Sequence, residues 1–246
     1  MKHFFVSGIS ERDGLVKVTG DDVNHIKNVL RMKVGEELLI SDGEGTDYHC
    51  RISAFENEEV LCQVLDTETS CSEPNVQFYL FQGLPKADKF EHIIQKSVEL
   101  GVYEIIPVEM VRSIVKYDAK KQKAKLERWQ KIAEGAAKQS RRGIIPEVKA
   151  PMNMAKALEY AKENLDLIMI PYENFKNMQS TKELIASIQP GMKVGFFVGP
   201  EGGFEPSEVK DAEESGAVQI SLGSRILRTE TAPLMLLSVL MFQMEK

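Results

Sequence analysis

Cysteine is scarce in this 246-residue chain: Cys50, Cys62 and Cys71 are all it has, an odd number, and no Cys-x-x-Cys pair occurs. That excludes a disulfide scaffold, a redox-active dithiol and a thiolate zinc site, and leaves reduced, structural thiols as the expectation. Histidine is nearly as sparse, with four copies. His49 and Cys50 are neighbours in a strand-like stretch and so point to opposite faces. His25 and His92 fall in helical stretches without a partner at ligand spacing. No metal is predicted. Long hydrophobic runs are missing too. The longest, Ala232 to Phe242, is broken by Pro233 and Ser238 and falls short of the roughly 20 residues that span a bilayer. It reads as a buried helix or an interface. The N-terminal Met1-Lys-His-Phe-Phe-Val-Ser-Gly8 offers a short apolar run ahead of Glu11, Arg12 and Asp13, too little for the core of a signal peptide. A cytoplasmic protein without a membrane partner is expected. With 43% apolar and 28% charged residues, disorder and collagen-like repeats are excluded as well.

Positive charge is also in deficit, with a formal net charge of −6, which at first argues against a nucleic-acid partner because phosphate contacts need Lys and Arg. The distribution reverses that conclusion. Residues 1–74 hold 7 basic against 15 acidic side chains, residues 75–150 hold 15 against 9, and residues 151–246 hold 9 against 13. Between Arg112 and Arg142 there are eleven basic residues, against Asp118, Glu127 and Glu134 alone. A basic patch is hidden by an acidic average.

The secondary-structure signals change character near Pro74. Before it, short runs rich in β-branched and aromatic residues (His3–Val6, Leu15–Val18, Glu37–Ser41, Tyr48–Ala54, Val60–Leu65) alternate with Gly, Asp and Asn turns. They predict a small β-barrel or sandwich, interrupted by one helix around Asp22 to Arg31. After Pro74, apolar strands alternate with amphipathic helices: Phe78–Gln82, helix Asp88–Leu100, Glu104–Val108, helix Asp118–Ser140, Asp166–Ile170, helix Thr181–Ile188, Lys193–Val198, helix Pro206–Ser215, Val218–Ser221 and helix Thr231–Met244. This alternation predicts an α/β domain with a mostly parallel sheet. Asp88 and Glu91 have capping-box spacing, Gly101 and Gly216 suit helix C-termini, and Pro206 suits a first turn. The long basic helix puts Leu126, Trp129, Ile132, Ala133 and Ala136 on one stripe and most lysines on the other face.

Two loops carry the chemistry. Gly199-Pro-Glu-Gly-Gly-Phe204 follows a strand and precedes a helix. In open α/β sheets such carboxyl-end crevices bind ligands, and glycines allow close backbone approach. Alone it fits a tight turn equally well, and it is neither a P-loop nor a Gly-x-Gly-x-x-Gly fingerprint. The second loop, Ser221-Leu-Gly-Ser-Arg-Ile-Leu-Arg-Thr-Glu-Thr-Ala-Pro233, places Arg225, Arg228 and Glu230 between a strand and the apolar final helix. On chemistry alone, a solvated loop with a local Arg–Glu pair remains open.

Taken together, the two loops closely resemble the signature of the RsmE family of 16S ribosomal RNA uridine-N3 methyltransferases, in the SPOUT superfamily. Supporting stretches run through nearly the whole chain: His25-Ile-Lys-Asn-Val-Leu-Arg31, Asp42-Gly-Glu-Gly45, Gln95-Lys-Ser-Val-Glu-Leu-Gly101, Arg112-Ser113, Arg128-Trp-Gln-Lys-Ile-Ala-Glu134 and Gln139-Ser140. One departure is Arg141-Arg142, where the family pattern suggests a Gly-Arg-like pair.

The resemblance implies a PUA-like β-barrel RNA-binding domain over residues 1–73. A SPOUT methyltransferase domain with a C-terminal deep trefoil knot would follow over 74–246. It implies S-adenosylmethionine as cofactor, bound by Pro171, Tyr172 and Glu173, by Val198, Gly199, Pro200, Glu201, Gly202 and Gly203, and by Ile220, Leu222, Gly223, Arg225, Ile226 and Leu227. It also implies a homodimer in which two subunits complete each active site, and 16S rRNA, within the small ribosomal subunit, as partner, with U1498 the expected target. Removing the N3 proton leaves negative charge on the uracil. Arg228 is the candidate to stabilise that charge and Glu230 to accept the proton or orient the guanidinium. Phosphate contacts are expected from Lys2, Arg31 and Lys33, from Lys86 and Lys89, and from Arg112, Lys116, Lys120, Lys121, Lys123, Arg141 and Arg142. Two rivals differ in class: a methyltransferase of the same superfamily acting on another RNA or a ribose 2′-oxygen, and a non-catalytic ribosome assembly factor.

Overall fold

A computed structural model describes residues 1–6, 9, 14–115 and 117–244. The chain divides into two compact units, Met1–Glu73 with Ala137–Ile145, and Pro74–Ala136 with Pro146–Lys246.

In the first unit, β1 (Lys2–Phe5), β2 (Leu15–Thr19), β3 (Glu37–Ser41), β4 (Thr46–Phe55) and β5 (Glu59–Thr69) form one sheet in the order β1-β3-β4-β5-β2. β1 pairs with β3 in parallel, and the remaining pairs are antiparallel. Strict alternation in β2, with Val16 and Val18 inward and Leu15, Lys17 and Thr19 outward, shows why these residues form a half-buried strand. The expected single helix is instead a turn of α-helix, α1 (Asp21–Asn24), continued by a π-helical turn over His25–Val29. Its Val23 and Ile26 join Phe4, Leu38, Ile40, Cys50, Ile52, Val60 and Cys62 in a closed core. Burial pushes the Cys50 thiol up to about 11 and Cys62 up to about 12, which makes both poor nucleophiles.

The second unit is a seven-stranded, wholly parallel sheet. Along the chain come β6 (Gln77–Gly83), α2 (Lys89–Glu99), β7 (Glu104–Glu109), α3 (Ala119–Ser140), β8 (Glu147–Val148), β9 (Met152–Asn153), α4 (Met154–Asn164), β10 (Leu167–Pro171), α5 (Met178–Ala186), β11 (Lys193–Val198), α6 (Pro206–Glu214), β12 (Val218–Ile220) and α7 (Thr231–Met244). The hydrogen-bonded path is β12-β10-β11-β6-β7-β8, with β9 also on β7. The central strands are apolar on both faces, as a sheet covered by helices requires: Phe78, Leu80, Phe81, Phe196 and Phe197 are fully buried.

Sequence reading misses α4, whose inward residues Met154, Ala157, Leu158 and Ala161 have helical spacing but include two alanines, a weak apolar signal. The expected Asp88–Glu91 capping box does not form. Asp88 makes no side-chain cap, and the Glu91 carboxylate is drawn instead to Arg128 at 2.7 Å and Lys125 at 3.4 Å on α3. Gly101 does end α2 in the left-handed region, and a Cβ there would stand 2.3 Å from Met241 Cε on α7. Trp129 anchors α3, edge-on to Phe90 with centroids 4.6 Å apart.

Candidate active site

Strand order puts β12, β10 and β11 side by side with their carboxyl ends together. The segments that leave those ends enclose a cavity of about 480 Å³, lined by Pro171 to Glu173, Val198 to Phe204, Ser221 to Glu230, Lys89 and Ala232. The first loop is compact because glycine lets it close on itself. A Cβ on Gly199 would lie 3.1–3.3 Å from the backbone of Gly203 and Phe204. Gly203 turns at φ +68 and donates its N–H to Pro200 O at 2.9 Å. From the neighbouring strand, Gly83 leaves room for Pro200, whose Cδ and N would be 2.7 Å from a Cβ at position 83.

The second loop runs from β12 past the ends of β10 and β11 to β6, and its hydrogen bonds mark the route. Ser221 N–H donates to Thr181 Oγ1 at 2.9 Å, and Gly223 turns at φ +101. Thr229 is buried between Arg228 and Glu230 in sequence. Its hydroxyl donates to Gly199 O at 2.7 Å and accepts from Gln82 Nε2 at 2.9 Å. The Arg228 carbonyl accepts from Thr231 and Ala232 at 2.9 and 3.0 Å, which starts α7. Thr229 therefore fixes the two charged candidates against the glycine loop.

Electrostatically the wall is organised by Lys89, whose Nζ is 3.0 Å from Glu201 Oε1 and 3.5 Å from Glu230 Oε2. Glu201 also accepts from the Lys86 N–H at 3.1 Å. Burial pushes the Glu201 carboxyl up, but the Lys89 hydrogen bond, the N–H groups of Glu201 and Lys86, and the Lys89 charge outweigh it and hold it below the usual range. The hydrogen bond from Lys89 to Glu201 in turn raises the lysine. Arg228 and Arg225 are exposed at the mouth.

Every cofactor residue expected from sequence lines this cavity except Ile220, which is fully buried and accepts from the Tyr172 N–H through its carbonyl. Arg228 and Glu230 line it as well. Lys89, Phe204, Ser221, Ser224, Thr229 and Ala232 were not singled out for it, although all but Lys89 lie inside or beside the two motifs.

The RNA methyltransferase domain family matches residues 72–241, and the RNA methyltransferase PUA domain family matches residues 18–65. Ribosomal RNA small subunit methyltransferase E of Bacillus subtilis (strain 168) is 37% identical over 231 residues, which cover 93% of this chain and 90% of the relative. The chain belongs to this RNA methyltransferase family. The same-named protein of Mesomycoplasma hyopneumoniae (strain 232) is 33% identical over 97% of this chain and 98% of its own length. A crystal structure of ribosomal RNA small subunit methyltransferase E from Neisseria gonorrhoeae bound to S-adenosyl methionine superposes with TM-score 0.81 at 33% identity, covering 98% of this chain and 97% of that one.

For a small subunit methyltransferase E relative, the basic residues divide sharply. Lys120, Lys121 and Lys123 on α3 are exposed, as are Lys86, Lys2, Arg31, Lys33 and Arg141. Lys116 lies outside the described residues. Arg112 spends its guanidinium on Glu205 at 2.7 Å and the Gly202 carbonyl at 2.8 Å, bracing the glycine loop. Arg142 corrects the sequence expectation outright: it is 3% exposed and grips Glu73 with Nε at 3.0 Å and Nη2 at 2.6 Å. A buried bidentate pair holds this unit together and offers nothing to a phosphate. Lys89 is likewise committed to carboxylates.

Proposed function

We propose that this protein transfers a methyl group from S-adenosylmethionine to N3 of a uridine in 16S rRNA, with U1498 the expected nucleotide. The observation that carries this reading is the convergence of the Gly199–Gly203 loop and the Arg228-Thr229-Glu230 turn on one cavity, joined by the Thr229–Gly199 hydrogen bond. The donor set fits the cofactor. Glycines, Leu222 and Leu227, Glu173 and Glu201, and Arg225 and Arg228 line the cavity, a mixture suited to a ligand that carries both a cation and a carboxylate on an apolar body with an adenine edge. When bound, the cofactor supplies an electrophilic methyl on a sulfonium. Residues 171–173, 198–203 and 222–227 would hold it.

Chain residues do the rest. Glu230 accepts the N3 proton, and the Arg228 guanidinium stabilises the charge left on the uracil carbonyls. Residues 1–73 form the RNA-binding domain and residues 74–246 the catalytic one. Lys120, Lys121 and Lys123, with Lys86, Lys2, Arg31, Lys33 and Arg141, supply phosphate contacts on the assembled small subunit. The segment 221–230 threads into a deep trefoil knot, and its crossing from β12 to β6 supports that reading. The protein acts as a homodimer. Ile226 and Phe242, each 86% exposed, are large apolar side chains suited to a partner subunit.

The test is methylation of small subunits prepared from a strain lacking the modification, with mass mapping of the product nucleoside. 3-Methyluridine is expected. A ribose-methylated product, or no methyl transfer with RNA binding intact, overturns the reading.

A further inference from the structure

We propose that Lys89 is a positioning residue of the active site: one ammonium holds the Glu230 carboxylate and, through Glu201, ties the glycine loop to the same point. The inference rests on Glu230 as proton acceptor. It departs from the reading of Lys89 as a phosphate contact, and the surroundings of its Nζ decide between the two. Lys89 opens α2, and its ammonium stands 3.0 Å from Glu201 and 3.5 Å from Glu230. Its one positive charge is already shared by two carboxylates, which leaves little of it for a phosphate. Glu230 Oε2 is buried with no hydrogen bond of its own, so the nearby ammonium is what offsets its desolvation. The carboxylate is held in place by a cation on a different element.

The remaining charged side chains that line the cavity are Glu173, Glu201, Arg225 and Arg228. Among the lining side chains, Lys89 is the cation within 4 Å of both Glu201 and Glu230, so removing it releases both carboxylates from one point.

The experiment compares wild type, Lys89→Met, Lys89→Arg and Glu230→Gln, each checked for an unchanged melting temperature. S-adenosylmethionine affinity is measured by calorimetry, small-subunit affinity by filter binding, and methyl transfer at saturating cofactor and subunits. For Lys89→Met, we expect a fall in kcat of about tenfold or more. Small-subunit affinity should stay within about twofold, and Lys89→Arg should recover most of the rate because it restores the charge. Weakened subunit binding with unchanged kcat would make Lys89 a phosphate contact and sink the proposal. If Lys89→Met fails to fold, Lys89→Arg still decides: a rate as low as that of Glu230→Gln overturns the charge-based role. Wild-type activity in Glu230→Gln removes the proton-acceptor reading itself. An inactive Glu230→Gln beside a normal Lys89→Met removes only this inference.

Discussion

Lys89 and Arg112 beside the glycine loop and the three lysines at the start of α3 are chemically alike and differently employed. At the cavity, Lys89 and Arg112 end on carboxylates or carbonyls at 2.7–3.0 Å, drawing α2 and the segment after β7 onto the glycine loop. On α3, Lys120, Lys121 and Lys123 point to solvent, and the nearest approach, Lys121 to Asp118 at 3.6 Å, joins two side chains that are 74% and 60% exposed. Such a pair contributes little to stability, so these charges remain available to a polyanion. Arg141 and Arg142 repeat the contrast in adjacent positions, one exposed and one buried on Glu73. Counting basic residues along the chain identifies a patch but does not say which members are free.

The sharpest way to break the comparison is at the cavity. Arg228→Ala should lower kcat by about 10²–10³, the range for loss of one charge-stabilising donor, while calorimetric S-adenosylmethionine affinity stays near wild type. Near-normal turnover would remove Arg228 from the chemistry.

Next in size is the buried arginine. Arg142→Ala strips the charged partner from Glu73, leaving it the N–H groups of Gly143 and Ile144, and should cost about 3 kcal/mol in chemical denaturation. Arg141→Ala should leave stability within about 0.5 kcal/mol. Equal effects at both positions would undo the distinction between structural and free cations.

The smallest effect, and the most specific to RNA, concerns α3. Replacing Lys120, Lys121 and Lys123 together by Gln should flatten the log–log salt dependence of small-subunit binding by roughly two to three units, with melting temperature and cofactor affinity unchanged. An unaltered slope would mean that this face meets something other than phosphate.

Much of the fold was legible from local pattern. β3, β11 and α7 have the expected bounds, and Gly101, Pro206 and Gly216 stand where helices end or begin. The glycine loop and the Arg228–Glu230 turn were legible as a pair because each follows a strand, and their residue types match a known family. What stayed hidden depends on distance along the chain. Thr229 matters through Gln82, 147 residues away, and Lys89 matters through Glu201 and Glu230 on two separate loops. Glu91 has the spacing of a cap but is claimed by Arg128, 37 residues on, because a charged partner in reach outcompetes a neutral backbone N–H.

By itself, the sequence determined the α/β class with its parallel sheet after a small β unit, the two glycine- and arginine-bearing loops and the presence of a basic segment inside an acidic chain. Those properties are set by periodicity, turn chemistry and composition, which act between near neighbours. Only the tertiary structure decided which charges are paired and which are free. That outcome turns on whether an opposite charge from a distant element comes within about 4 Å. Strand order settles it, by bringing the ends of β12, β10, β11 and β6 to one place.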